Sequence, residues 1–183
     1  SKHSLDVDSR YWKVLKAGRE VVERRIAALL ERHVELVVRV MRGNHDPHAH
    51  MALSLALESR YREDPRVSVE DPARDIFWHE WGRCLIAGHH GDTIPPQRLY
   101  QLIADQCPFW SSTYHRFCFV GHGHHREIKD FGGLTWEMLQ PFCPPDAHAA
   151  RMGYTQRRAL HSITFHKKDG LVIRAQDPID RAA

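Results

Sequence analysis

Residues 34–46 read VELVVRVMRGNHD, an apolar run that turns abruptly polar. Its first eight residues are rich in β-branched side chains and nearly continuously apolar, which suits a strand buried on both faces rather than one with a wet side. The run empties directly into Arg42, Gly43, Asn44, His45 and Asp46. A polar loop therefore leaves the carboxyl end of a buried strand, the position at which layered α/β folds hold their ligands.

Upstream, Leu15, Val22, Ile26, Leu29 and Leu30 recur at helical spacing among charged neighbours, with Ser9 as a suitable N-cap, so an amphipathic helix is expected over 9–33 with its apolar stripe, Trp12 included, in the core. Downstream, a second helix is expected over 48–62, stopped by Asp64 and Pro65. Strands are expected at 67–70, 76–81 and 83–88, the last running into His89, His90, Gly91 and Asp92. A third helix over 96–106 precedes a strand at 116–120 that runs into Gly121, His122, Gly123, His124 and His125. Further strands are expected at 127–130, 134–140, 159–166 and 171–175, with Lys168-Asp169-Gly170 as a hairpin turn. Helices come early and antiparallel-looking strands late, so the expected fold is α/β in the broad, layered α+β sense, a β-sandwich flanked by helices and forming one domain over residues 1–183.

Composition sets the outer limits. With 183 residues, 42% of them hydrophobic, the chain is long enough to bury a core. No stretch reaches the roughly 20 apolar residues of a membrane span, and the opening SKHSLDVDSRY carries no secretory or lipidation signal, so a soluble cytoplasmic protein is expected. The four cysteines, Cys84, Cys107, Cys118 and Cys143, form no CxxC pair, which excludes a zinc ribbon and leaves reduced thiols as the simple reading. A formal charge of +3 is too weak to mark a dedicated nucleic-acid binder, although it permits contact with a polyanion. The unusual quantity is 15 histidines, because imidazole is the commonest metal ligand.

Three of the histidine-bearing clusters each follow an apolar strand: 43–46, 89–92 and 121–125. If those strands lie side by side, their loops meet on one rim and several imidazoles come within reach of a metal. The order GNHD, then a histidine followed by glycine, then GHGH resembles the third, fourth and fifth motifs of the calcineurin-like metallophosphoesterases. The resemblance runs over nearly the whole chain and is greatest to phage and prophage members related to DNA-repair exonuclease phosphoesterases, for which the compartment would be the host cytoplasm. It implies that Asn44, His90 and His122 hold one metal and His124 the other, that His45 meets the substrate phosphate and leaving oxygen, and that Asp46 orients His45.

A neutral amide oxygen and neutral imidazoles suit Mn²⁺, Fe²⁺ or Zn²⁺ better than Mg²⁺ or Ca²⁺, so two divalent ions, manganese foremost, are the implied cofactors. The implied activity is hydrolysis of a phosphate ester by metal-bound hydroxide, as a phosphodiesterase or nuclease with DNA among the candidate substrates. The family's first two motifs, Asp-x-His and Gly-Asp-x-x-Asp, have no counterpart here; Asp6 and Asp8 are the only carboxylates ahead of the first helix. The fold is therefore expected to be incomplete at its N-terminal side, and the site to need an N-terminal fragment, a partner chain or self-association. Alone, the chain is expected to hold at most one metal, at Asn44, His90 and His122, with little hydrolysis. The competing expectations are a catalytically inactive binding or regulatory subunit and, more weakly, a nucleic-acid-binding module without chemistry.

The remaining candidates have plainer readings. His89 and His125 alternate away from the proposed ligands, and supporting or surface roles suit them better than ligation. His48 and His50 are expected in the first turn of the second helix, and Trp78, Trp81, Phe109 and Trp110 in the core. Arg157, Arg158, Lys167 and Lys168 read as a solvated face.

Overall fold

The structure, a computed structural model, describes residues 11–45, 48–70, 73–144, 151 and 157–179. It divides into two compact units, Ser1–Asp75 and Ile76–Ala183. Among the described residues no helix is long and apolar enough to cross a membrane. The architecture is mixed α/β.

The first unit runs α1 (Tyr11–Leu30), β1 (Leu36–Val38), α2 (Ala49–Tyr61) and β2 (Val67–Val69). β1 and β2 pair in parallel, Leu36 opposite Val67, which requires the crossover that α2 supplies. The expected strand over 34–41 is thus only three residues long, and it is not buried on both faces: Val34 is 86% exposed and Val37 44%. Among the described residues β1 has β2 as its one strand neighbour, so its other edge has no ladder and its side chains have little to pack on. α1 departs from expectation in the same way. Ile26 is its buried residue, while Trp12 and Leu29 of the expected core face are exposed, as are Tyr11, Val14 and Val21. Ser9, the expected cap, lies outside the described residues.

The second unit runs β3 (Phe77–Trp81), β4 (Cys84–His89), α3 (Pro96–Gln106), β5 (His115–Val120), β6 (Glu127–Phe131), β7 (Leu134–Met138), β8 (Ala159–His166) and β9 (Gly170–Pro178). Strands β3 to β7 build a five-stranded sheet in the order β3-β4-β5-β7-β6. Its three central strands β4, β5 and β7 are parallel, and the edge strands β3 and β6 are antiparallel to their neighbours. The expectation of antiparallel late strands therefore holds for the edges and for the β8–β9 hairpin but not for the centre. The reason is topological: α3 carries the chain back between β4 and β5, and edge strand β6 does so between β5 and β7.

Residues that pair across a sheet share a face, and the two faces of this sheet bury different things. On one face Leu85, Ala87, Cys118, Val120, Trp136 and Met138 pack with Leu99 and Ile103 of α3 to form the core. α3 is set by Pro96 at its first turn and by a helical stripe that puts Leu99 and Ile103 four apart on the buried side. Trp78, Phe109 and Trp110 pack against this core as the sequence suggests, whereas Trp81, expected with them, is exposed at the end of edge strand β3. On the other face Phe117 and Phe119 meet Phe165 of β8, with ring centroids 5.0 and 6.4 Å apart, so the hairpin closes a second layer over the sheet. Gly170 has φ +83, and a Cβ there would stand 2.7 Å from the His115 ring, so the expected turn needs glycine on two counts.

Because β4, β5 and β7 are parallel, their carboxyl ends share one rim. The loops 89–92 and 121–125 both leave from that rim.

Candidate metal centre

The two rim loops are joined at their roots. The Gly121 N–H donates to the His90 carbonyl at 3.0 Å, and the Leu139 N–H at the end of β7 donates to the Val120 carbonyl at 2.8 Å. Glycines allow the close approach. Gly91 has φ +100, and a Cβ there would stand 3.3 Å from Val120 Cβ; a Cβ on Gly123 would run into Met138 Sδ. The Gly123 N–H donates to the Gly121 carbonyl at 2.7 Å, which coils the loop tightly on itself.

This coiling sets the histidines. His122 and His124 have φ of 52° and 56°, the two positive values among described residues other than glycine. The left-handed region brings Cβ against the following carbonyl and costs about 1–2 kcal/mol per residue for an L-amino acid. Such outliers persist where the surroundings over-determine them, and they cluster at functional sites. Both side chains are exposed, and the alternation with Gly121 and Gly123 carries them out of the loop.

The His90 and His122 rings lie 5.2 Å apart between centroids, edge-on at 69°. An imidazole nitrogen about 2.0–2.1 Å from a zinc-type ion puts its ring centre about 3.2 Å from it, so two rings at a tetrahedral angle stand about 5 Å apart. The pair thus fits shared ligation of one ion, and the same spacing is an ordinary edge-to-face contact of rings. Among the described residues no group of three or more His, Cys, Asp or Glu side chains is gathered as a metal cage.

His89 is buried and makes the turn rather than the site. Its Nδ1 accepts from the Gly91 N–H at 2.9 Å, which leaves the ring proton on Nε2, 3.4 Å from Thr93 Oγ1. His125 is held by its own loop, Nδ1 to the Gly123 carbonyl at 2.8 Å, with Nε2 3.8 Å from Glu127. Both match the supporting or surface roles expected of them.

Asn44 and His45 belong to the first unit, on the chain that leaves β1; Asn44 is half-buried and His45 exposed. Their stretch is tied down by Arg42, whose Nε donates to Asp75 Oδ1 at 2.8 Å. Asp46 lies outside the described residues. His50 sits in the first turn of α2, as expected, while His48 is the N-cap position just ahead of it. Lys167 is not simply a solvated cation: its Nζ lies 4.3 Å from the centroid of the Trp81 ring, a cation–π contact.

One group was missed by reading the sequence. Glu137 in β7 is fully buried and takes Arg174 Nη1 and Nη2 on its two oxygens at 2.6 Å each, with Arg126 Nε at 3.5 Å. The available signal was a carboxylate inside the apolar run 134–140, which demands a cation that the local sequence does not name.

No family model and no curated protein matches the chain. Among solved structures, it is similar to a predicted phosphoesterase from Streptococcus pneumoniae TIGR4, described as a conserved uncharacterized protein, at 11% identity over 78% of this chain and 95% of that one, TM-score 0.37. It is also similar to Vps29 from Entamoeba histolytica complexed with zinc, at 13% identity over 79% of this chain and 98% of that one, TM-score 0.37. A double mutant of the same Vps29 gives 12% identity over 98% of this chain and 93% of that one, TM-score 0.39. These are distant likenesses of fold.

Proposed function

We propose that the chain is the histidine-bearing part of a cytoplasmic, metal-dependent phosphoesterase of the phosphodiesterase or nuclease type. The observation that carries the reading is the pair of strained residues. His122 and His124 occupy the left-handed region on a loop at the carboxyl end of a central parallel strand, and His90 stands beside His122. A sequence selected for stability alone would place glycine or asparagine there.

In this reading His90 and His122, with Asn44, hold one ion and His124 belongs to a second. Divalent ions, manganese foremost and iron or zinc as substitutes, would supply a water acidic enough to ionise near neutral pH and positive charge against the phosphoryl oxygens. The chain's own groups do the rest. His45 meets the substrate and passes a proton to the leaving oxygen, Asp46 orients it, and His89 keeps the turn at 89–93 rigid beneath the ligands. The site is completed by an N-terminal segment, a partner chain or self-association. Supporting this is the surface of the first unit, where Val14, Leu15, Val40, Met41, Leu53 and Ala56 line an apolar groove of about 550 Å³. Exposed apolar surface of this kind marks an interaction face.

The test is hydrolysis of bis-p-nitrophenyl phosphate with Mn²⁺ by the chain supplied with its completing segment, beside His45→Ala and His122→Ala. Both substitutions should abolish turnover; full turnover in His45→Ala sinks the assignment. Metal bound at His90 and His122 without turnover in the completed protein would instead establish a binding or regulatory subunit.

A further inference from the structure

We propose that Glu137, acting through Arg126, is the positioning residue for His122 and His124. The inference rests on the reading of those histidines as the site. Glu137 pairs across the sheet with Phe119, so its side chain is on the face that the β8–β9 hairpin covers. A carboxylate buried there must be neutralised, and the bidentate Arg174 fork from β9 already does so with both oxygens engaged. Arg126 is therefore a second cation on a carboxylate that needs one.

What Arg126 adds is a tether. It is the residue directly after the loop 121–125, its side chain is 44% exposed, and its Nε lies 3.5 Å from Glu137 Oε1. The loop is held at its start by the bond from Gly121 to His90 and in its middle by Gly123 closing on Met138, the neighbour of Glu137 in β7. Arg126 fixes its end. Two left-handed histidines separated by one glycine would relax if any of the three anchors were released. Arg174 thus serves the fold, joining hairpin to sheet, while Arg126 serves the loop.

The two roles separate by experiment on the full chain without metal. Amide hydrogen exchange at Gly121 and Gly123 reports the loop, and exchange in β8 and β9 reports the hairpin. Arg126→Gln should speed exchange at Gly121 and Gly123 at least tenfold and leave β8, β9 and the melting temperature unchanged. Arg126→Lys, which keeps the charge, should restore most of the protection, a rescue that loss of surface packing would not show. Unchanged loop exchange in Arg126→Gln overturns the proposal, and so does loss of protection spread equally over β8 and β9. Zn²⁺ titration then distinguishes the two inferences. His122→Ala binding zinc as tightly as the parent refutes the metal site, whereas parent-like binding in Arg126→Gln with loss in His122→Ala keeps the site and refutes the tether.

Discussion

Replacing His122 and His124 together, once by glycine and once by alanine, separates the strain of the loop from the chemistry of its rings. Both double variants lack the imidazoles, so both should lose metal to the same degree. They differ in backbone alone. At φ of 52° and 56° an alanine still sets its Cβ against the following carbonyl, at about 1–2 kcal/mol per position, and glycine does not. Glycine gives back about 0.4–1 kcal/mol per position through the greater freedom of its unfolded chain. The glycine variant should therefore be more stable than the alanine variant by roughly 1–2 kcal/mol in total. With slopes of about 1–3 kcal/mol/M for urea, that is a midpoint higher by several tenths of a molar to about 1 M or more. Urea unfolding in the presence of a chelator measures it, since bound metal would otherwise favour the parent. An alanine variant as stable as the glycine variant would refute a left-handed loop and, with it, the argument that stability has been given up at this site.

Thiol chemistry should divide the four cysteines. Burial pushes the Cys118 thiol up to about 12 and raises those of Cys84 and Cys107, while Cys143 is exposed, so Ellman's reagent at pH 8 should find one fast thiol, absent in Cys143→Ser. A folded pKa above the unfolded value of about 8.5 means stability that is whole below that pH and declines as pH rises beyond it, and an alkaline limb unchanged by Cys118→Ala would contradict the assignment. His161 shifts the other way: desolvation lowers its pKa, Glu137 opposes this, and Arg126 and Arg174 reinforce it. The unfolded chain then binds the proton first, so stability is whole above about pH 6.5 and falls as pH drops below it; His161→Phe should flatten this acid limb, and an equally steep limb would show that another group causes it.

Local signals in the sequence determined much of the frame. Proline at the first turn and apolar residues four apart specify α3, and β-branched alternation with Gly170 at the turn specifies the β8–β9 hairpin, because these are short-range preferences of the backbone itself. The same locality made the 89–92 and 121–125 loops legible as polar ends of apolar strands. Three things needed the tertiary structure. The direction of β4, β5 and β7 depends on what crosses between them, which periodicity does not encode. The apolar run 34–41 looks like a doubly covered strand, yet three residues pair and Val34 lies in solvent, because cover comes from neighbours and β1 has one among the described strands. At the candidate site, His122 and His124 are visible as residue types, but their left-handed backbone, on a loop whose Gly121 N–H bonds the His90 carbonyl across the rim, is visible only in the structure. Glu137 finds Arg174 37 residues away and Arg126 on the loop before it, a partnership of charges that exists only once burial removes water from the carboxylate.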